Sequence, residues 1–230
     1  MNVSTVNRLL RSPAEVARDC KEDRDVVPLV VTALVVLAVS ALLFGAAVGS
    51  WRGGAQIAWA ALKLPIVTLG TLVVCVPAFH AIAAVFGRPW SLRSAVAIML
   101  AGGARFSLVL LAATPVVWLA INLGAPYDAV KLLAALAYAL GGLASLALIV
   151  RGLGPGRGRV ATVLTFVGVF LLVGGQTAWI LRPYIGTPGD DTVTLFTRKR
   201  EGGVAYQLWL SAERVLQGRP HPATPKETAP

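Results

Sequence analysis

The sequence predicts an all-α fold, a polytopic bundle of five transmembrane helices whose second and third members are kinked at proline. Three observations predict it. Hydrophobic residues make up 56% of the 230, with a mean hydropathy of +0.71. Charged residues are 14%, little more than half the roughly 25% of an ordinary soluble domain. The apolar residues are also gathered into five segments, 28–48, 64–86, 95–121, 130–150 and 160–181, which hold no Asp or Glu and only two charges, Arg105 and Lys131. About 20 apolar residues cross a bilayer core as a helix, so each segment is long enough. The same figures exclude a disordered chain. Two cysteines, Cys20 and Cys75, exclude a disulfide scaffold, and their different environments keep them from pairing. The chain divides into a cytoplasmic amphiphilic head (1–27), a five-span membrane domain (28–181), an exoplasmic tail with an amphipathic helix (182–218) and a disordered end (219–230).

The head contains Glu15, Asp19, Glu22, Asp23 and Asp25. A secretory signal has a short basic start and a short apolar stretch, so segment 28–48 reads as a retained span. Ser12-Pro13-Ala14-Glu15 has the order of a helix start: Ser as N-cap, Pro in the first turn, a carboxylate at the third position. It predicts a short helix over about 13–22, preceded by an apolar stripe of Val3, Val6, Leu9 and Leu10. Such a head either lies on the membrane surface or is a polar leader.

Lys and Arg set the orientation. With five spans, the head (Arg8, Arg11, Arg18, Lys21, Arg24) shares a side with Arg88 and Arg93 and with Arg151, Arg157 and Arg159. The opposite loops offer Arg52 and Lys63, with Lys131 at a span edge. The head is therefore expected in the cytoplasm and the C-terminus outside it. Arg182 and the run Arg198-Lys199-Arg200 argue against this bias. The net charge of +10 is explained by these loops, and nucleic acid is not an expected partner.

Segment 56–87 is too long for one simple span, about 48 Å at 1.5 Å per residue. Residues 55–63 are expected to form an interfacial lead-in, with Trp59 at headgroup level and Lys63 snorkelling outward. Pro77 then bends the remaining helix. Segment 95–121 is also long, and Gly102-Gly103 is expected to break or bend it, with Pro115 adding a second kink. Two bent helices in succession either pack well or leave room for a lipid or small ligand.

In the fourth span Gly141 and Ser145 are four apart, a small-xxx-small face that permits close helix approach. Gly168, Gly174 and Gly175 mark the fifth span. The glycines of loop 152–159 resemble a phosphate-cradling turn but lack the preceding strand and the following Lys-Ser/Thr, leaving a flexible basic loop. In the tail, 187–190 reads as a turn and 192–197 as a short strand. Residues 203–217 carry a helical stripe of Val204, Leu208, Ala212 and Val215, flanked by Trp209 and Leu216, with Glu213 and Arg214 opposite. Val204, Leu208 and Trp209 are the expected docking residues, against the membrane surface or a partner.

The polar residues within the spans are His80, Arg105, Thr114, Asn122 and Gln176. A charge inside a span is a functional pointer, and Arg105 is the sharpest one. No span carboxylate exists to pair with it. A lipid phosphate, backbone carbonyls or an acidic group on another subunit remain. Antiparallel second and third spans place His80 and Arg105 within about two turns in depth, as a cationic recess for a lipid headgroup. The other reading is that Arg105 snorkels to the interface. Two histidines, His80 and His221, are too few for a multi-His metal site. Ser107 and Ser145 have only His80 as a base, so catalysis and cofactors are not expected.

The run Pro77-Ala78-Phe79-His80-Ala81-Ile82-Ala83-Ala84-Val85-Phe86-Gly87-Arg88-Pro89-Trp90-Ser91-Leu92 resembles the helix end, Gly turn and next helix start of Yip-type membrane proteins, named for interaction with Ypt/Rab GTPases. Thr114-Pro115 is similar to that family's proline in the third span, and the resemblance covers about 11–181. It implies five spans, a cytosolic head, an exoplasmic C-terminus and a non-enzymatic role in membrane organisation or as a partner subunit. Two departures limit it. The tail after Gly186 is longer than the family's, and the Ala/Gly/Arg-rich composition looks bacterial, so a trafficking role is not carried over. The expectation is a non-catalytic subunit or scaffold of the bacterial inner membrane, with lipids and other membrane proteins or itself as partners. The alternative is a lipid- or small-solute-binding or transport protein using the recess between spans two and three.

Overall fold

A computed structural model describes residues 3–22, 26–87, 90–180 and 204–217, and these residues form eight α-helices and no strand. Two short helices, α1 (Val3–Arg11) and α2 (Pro13–Lys21), precede five long ones: α3 (Val26–Gly49), α4 (Ala55–Val85), α5 (Leu92–Asn122), α6 (Tyr127–Leu153) and α7 (Arg159–Ile180). A last helix, α8, covers Val204–Gln217. The five long helices have the length and apolar composition to cross a membrane, which is the architecture of an integral membrane protein. The turn at 187–190, the strand at 192–197 and the proline-rich end expected from the sequence lie outside the described residues.

Local chemistry explains the helix ends. The Ser94 N–H donates to Ser91 Oγ at 3.0 Å, satisfying one orphan donor of the first turn of α5. At the other end Gly124 takes a left-handed φ of +79°, a conformation that costs glycine no Cβ clash. There the Ala125 N–H donates to the Ala120 carbonyl at 3.0 Å. The turn leaves the Ala125 carbonyl free to accept from Trp51 Nε1 at 3.2 Å, which ties the α5–α6 connection to the α3–α4 hairpin.

The most extensive packing runs from α6 to α5, from α5 to α3, from α3 to α4 and from α4 to α7. α3 is thus the middle of the bundle. Its tightest seam is with α4. A Cβ built on Gly45 would sit 2.5 Å from the Ala60 carbonyl oxygen, and one on Gly49 would sit 2.7 Å from that of Gln56. This Gly-x-x-x-Gly face brings two backbones together. Two apolar clusters fill the interior. One, in the half nearer the N-terminus of α3, includes Phe79, Trp90, Ile98, Leu148, Leu153 and Phe166. The other, around the α3–α4 hairpin, includes Phe44, Leu64, Leu110, Val117 and Val130. Phe79 makes edge contacts with both Trp90 and Phe166, at centroid distances of 6.0 and 5.2 Å.

Several expectations are corrected here. The head is not a polar leader separate from the bundle but packs into it. Leu9, Val16, Ala17 and Cys20 are buried in the first cluster, α2 packs on both α5 and α6, and Arg8 pairs with Asp19 to hold α1 against α2. Helix α2 begins at Pro13, as the sequence predicts, but the Ser12 side chain makes no cap bond. Residues 55–63 are no separate lead-in, because α4 is one helix of 31 residues. The cause is the Gly45–Gly49 face, which holds residues 56–61 against α3. Lys63 is accordingly not snorkelling but buried, 3% exposed. Nor does Gly102-Gly103 break α5, which runs unbroken for 31 residues. Its missing side chains make room for neighbours instead: a Cβ on Gly102 would meet Ser145 Oγ at 2.8 Å, and one on Gly103 would meet Leu72 Cδ1 at 2.7 Å. Pro65, Pro77 and Pro115 all lie inside helices, each removing one backbone N–H donor.

Candidate functional site: the α5–α6 seam and Arg105

Helix α5 is the most enclosed span, and α6 closes on one flank of it. A Cβ on Gly141 would lie 2.8 Å from Phe106 Cδ2, and one on Gly152 would lie 3.1 Å from both Ile98 and Trp90. With Gly102 against Ser145, these pairs fix an antiparallel register. Gly141 and Ser145, two of the residues expected to mediate packing, are therefore brought together at one seam. The other two are not: Gly174 makes an ordinary approach to Thr71, and no atom of the described residues lies within 4 Å of a Cβ on Gly175.

Arg105 lies on α5 just before Phe106. Its neighbour Gly103 faces Leu37 and Leu72. Two residues along a helix are separated by roughly 160° around its axis, so Arg105 projects away from α3 and α4. The recess expected between the second and third spans is not formed by His80 and Arg105, and no hydrogen bond, ring contact or electrostatic interaction joins the two described side chains. The reason is rotational. Matching depth on antiparallel helices does not make two residues face each other. The charged side chain at the head end of the helix that closes on this flank is Arg151, in the last turn of α6. Arg105 Nη1 is buried, and it has no hydrogen-bond partner among the described residues. The same holds for His80 Nδ1 and for Ser107 Oγ, so Ser107 and His80 are not paired.

The remaining polar span residues are satisfied locally or face outward. Thr114 Oγ1 donates to the Leu110 carbonyl at 3.0 Å, and Asn122 Nδ2 donates to that of Trp118 at 2.7 Å. Such back-bonding to the preceding turn is a structural use of a polar side chain. Gln176 is exposed. Among the described residues no three His, Cys, Asp or Glu side chains gather as metal ligands.

At the hairpin end lies a residue that the sequence reading passed over. Asp128 is the lone carboxylate between Val26 and Gly189, and it is buried, 3% exposed. It stands in the first turn of α6, where a negative charge suits the helix dipole. Arg214 of α8 approaches it at 3.7 Å. Lys131 Nζ donates to the Gln207 carbonyl at 3.2 Å, and Ser211 is fully buried. Helix α8 thus packs on α6 by its polar face, so the expected docking stripe is not the face turned toward this bundle. Trp209 is 61% exposed and stacks on Tyr206, Leu208 is half-buried, and Val204 opens the helix. The signal was present in the sequence: one acidic residue beside a span, in a chain whose spans have none. Against known proteins, the chain matches no family model, no curated protein and no solved structure.

Proposed function

We propose that this chain is a non-catalytic subunit or scaffold of a membrane assembly, and that α7 is the span by which it joins a partner protein or a second copy. The observation that carries this reading is the outer face of α7. Its only extensive packing is with α4. Gly168 and Gly175, seven residues apart and so on one face, meet no atom of the described residues within 4 Å of a built Cβ. Small residues let another helix approach closely within a bilayer. The implication of the Yip-type resemblance, a partner subunit in membrane organisation, points the same way. The orientation in this reading is head in the cytoplasm and α8 outside, in a bacterial inner membrane, supported by the arginine bias. Purification in mild detergent followed by native mass measurement tests it. A complex or dimer that Gly168→Leu dissolves is expected, and a lone monomer for the unaltered chain overturns it.

A second reading, lipid binding, is favoured by one observation, the unpartnered Nη1 of Arg105. An unpaired guanidinium in a span is costly, and the surrounding lipid supplies anions.

A further inference from the structure

Helix α5 is longer than a membrane is thick. Its 31 residues extend about 46 Å at 1.5 Å per residue, about 16 Å more than the roughly 30 Å hydrocarbon core. Trp118, 54% exposed near the far end, suits the interfacial level there. About 20 residues counted back from Asn122 reach the opposite boundary near Gly102. The first ten residues of α5 then stand outside the hydrocarbon. From Ser94 onward they are nevertheless largely buried, with the head packed on them: Ala97 and Ala101 are 0% exposed and share a cluster with Leu9, Val16, Ala17 and Cys20.

Arg105 is one turn beyond Ala101 and on the same flank of the helix. It therefore sits where the cover of the head ends and the lipid headgroups begin. Arg151 neighbours Gly152, which packs against Ile98, so its backbone lies about 10 Å nearer the head along the seam. Helical side chains lean toward the N-terminus of their own helix. In an antiparallel pair with this register, Arg105 leans toward the head and Arg151 leans away from it, so the two guanidinium groups converge. Two guanidinium groups leaning toward one level of a seam offer paired donors to an anion. The lone carboxylate of α5 and α6, Asp128, stands at the opposite end of α6, and Arg105 Nη1 is left with no partner among the described residues.

We propose that Arg105 and Arg151 bind the phosphate of an anionic phospholipid at the head-side rim of the α5–α6 seam. The proposal rests on the second reading above and gives it a site and a ligand chemistry. Guanidinium groups bind phosphate oxygens in bidentate fashion, the half-buried Arg105 fixes the depth, and the exposed Arg151 closes over the headgroup.

Native mass spectrometry of the full chain in mild detergent, with phosphatidylglycerol or phosphatidylcholine added, tests this. The unaltered protein is expected to retain phosphatidylglycerol in preference. Arg105→Ala and Arg151→Ala should each lower that retention about tenfold, a loss of about 1.4 kcal/mol. Arg105→Lys, which keeps the charge but not the fork, should fall between. Arg157→Ala, an equal charge loss in the exposed loop, should change little. Because Arg151 is exposed, its substitution leaves the fold intact and keeps the test decisive even if Arg105→Ala unfolds. Unaltered retention in both alanine variants overturns the site and leaves lipid binding standing. No retained lipid in the unaltered protein overturns both. Displacement of the lipid by millimolar inorganic phosphate would show a site for free phosphate and overturn the lipid assignment.

Discussion

Helices α5 and α7 have nearly the same mean hydropathy over their most apolar stretches, 2.0 and 1.8. Yet 61% of that stretch is buried in α5 and 11% in α7. Hydropathy reports that a helix prefers hydrocarbon to water, and in a bilayer lipid satisfies that preference as well as protein does. What separates the two helices is shape. The glycines of α5 meet Ser145 and Leu72, and Gly141 of α6 meets Phe106, whereas Gly168 and Gly175 of α7 meet nothing among the described residues. The enclosed helix is also the one that carries the lone span arginine outside a helix end. Enclosure holds that charge at a fixed depth, and the open helix is the one the proposed association uses.

The largest test of this contrast is a cavity. Ile98→Ala on α5, at a position 0% exposed between Gly152 and Trp90, should cost about 2–5 kcal/mol. Leu171→Ala on α7, 67% exposed, should stay within about 0.5 kcal/mol. Thermal unfolding in one detergent compares them, and equal effects would erase the distinction. The converse test adds volume. Gly102→Leu should lose about 1–3 kcal/mol by overpacking against Ser145, while Gly168→Leu should leave monomer stability unchanged.

The head that covers α5 has its own probe. Burial, assisted by the charge of Asp19, pushes the Cys20 thiol from an ordinary 9.0 up to about 12. The docked thiol therefore stays protonated and unreactive near neutral pH. A folded value above the unfolded one means that its contribution to docking is complete below pH 9. That contribution is lost as pH rises toward about 12. Maleimide labelling of Cys20, followed by peptide mass, should be slow at pH 7.5 and accelerate sharply in Val16→Asp, which opens the docked face. Rapid labelling of the unaltered protein at pH 7.5 would show α5 uncovered at this end. The smallest effect is expected at α8. Arg214→Ala removes a 3.7 Å ion pair between a partly exposed arginine and the buried Asp128, worth about 1 kcal/mol, and should speed proteolytic release of α8 without altering bundle unfolding.

Much of the scaffold was legible from residues 26–180. Apolar runs free of carboxylates predict five spans, and Gly141 with Ser145 predicts a close seam that the structure contains. The Gly45-x-x-x-Gly49 face was equally readable and is the tighter contact, but it ends beside a hairpin, where glycines pass for turn residues. Lys63 misled because a lysine near a proline and a span edge ordinarily reaches for water. Here the neighbouring backbone is drawn into α3 and the side chain goes with it. For Arg105 the type and depth were legible and the facing was not, since facing depends on which helix lies across which flank.

The sequence by itself determined that the chain belongs in a membrane and how many times it can cross, because transfer of a helix into hydrocarbon depends on composition and length alone. Only the tertiary structure decided which spans enclose one another, that the head covers α5, that α8 turns its polar side inward and that Arg105 looks toward α6. Those choices depend on shape and on the rotation of each helix about its axis, to which the hydrophobic preference of a span is indifferent.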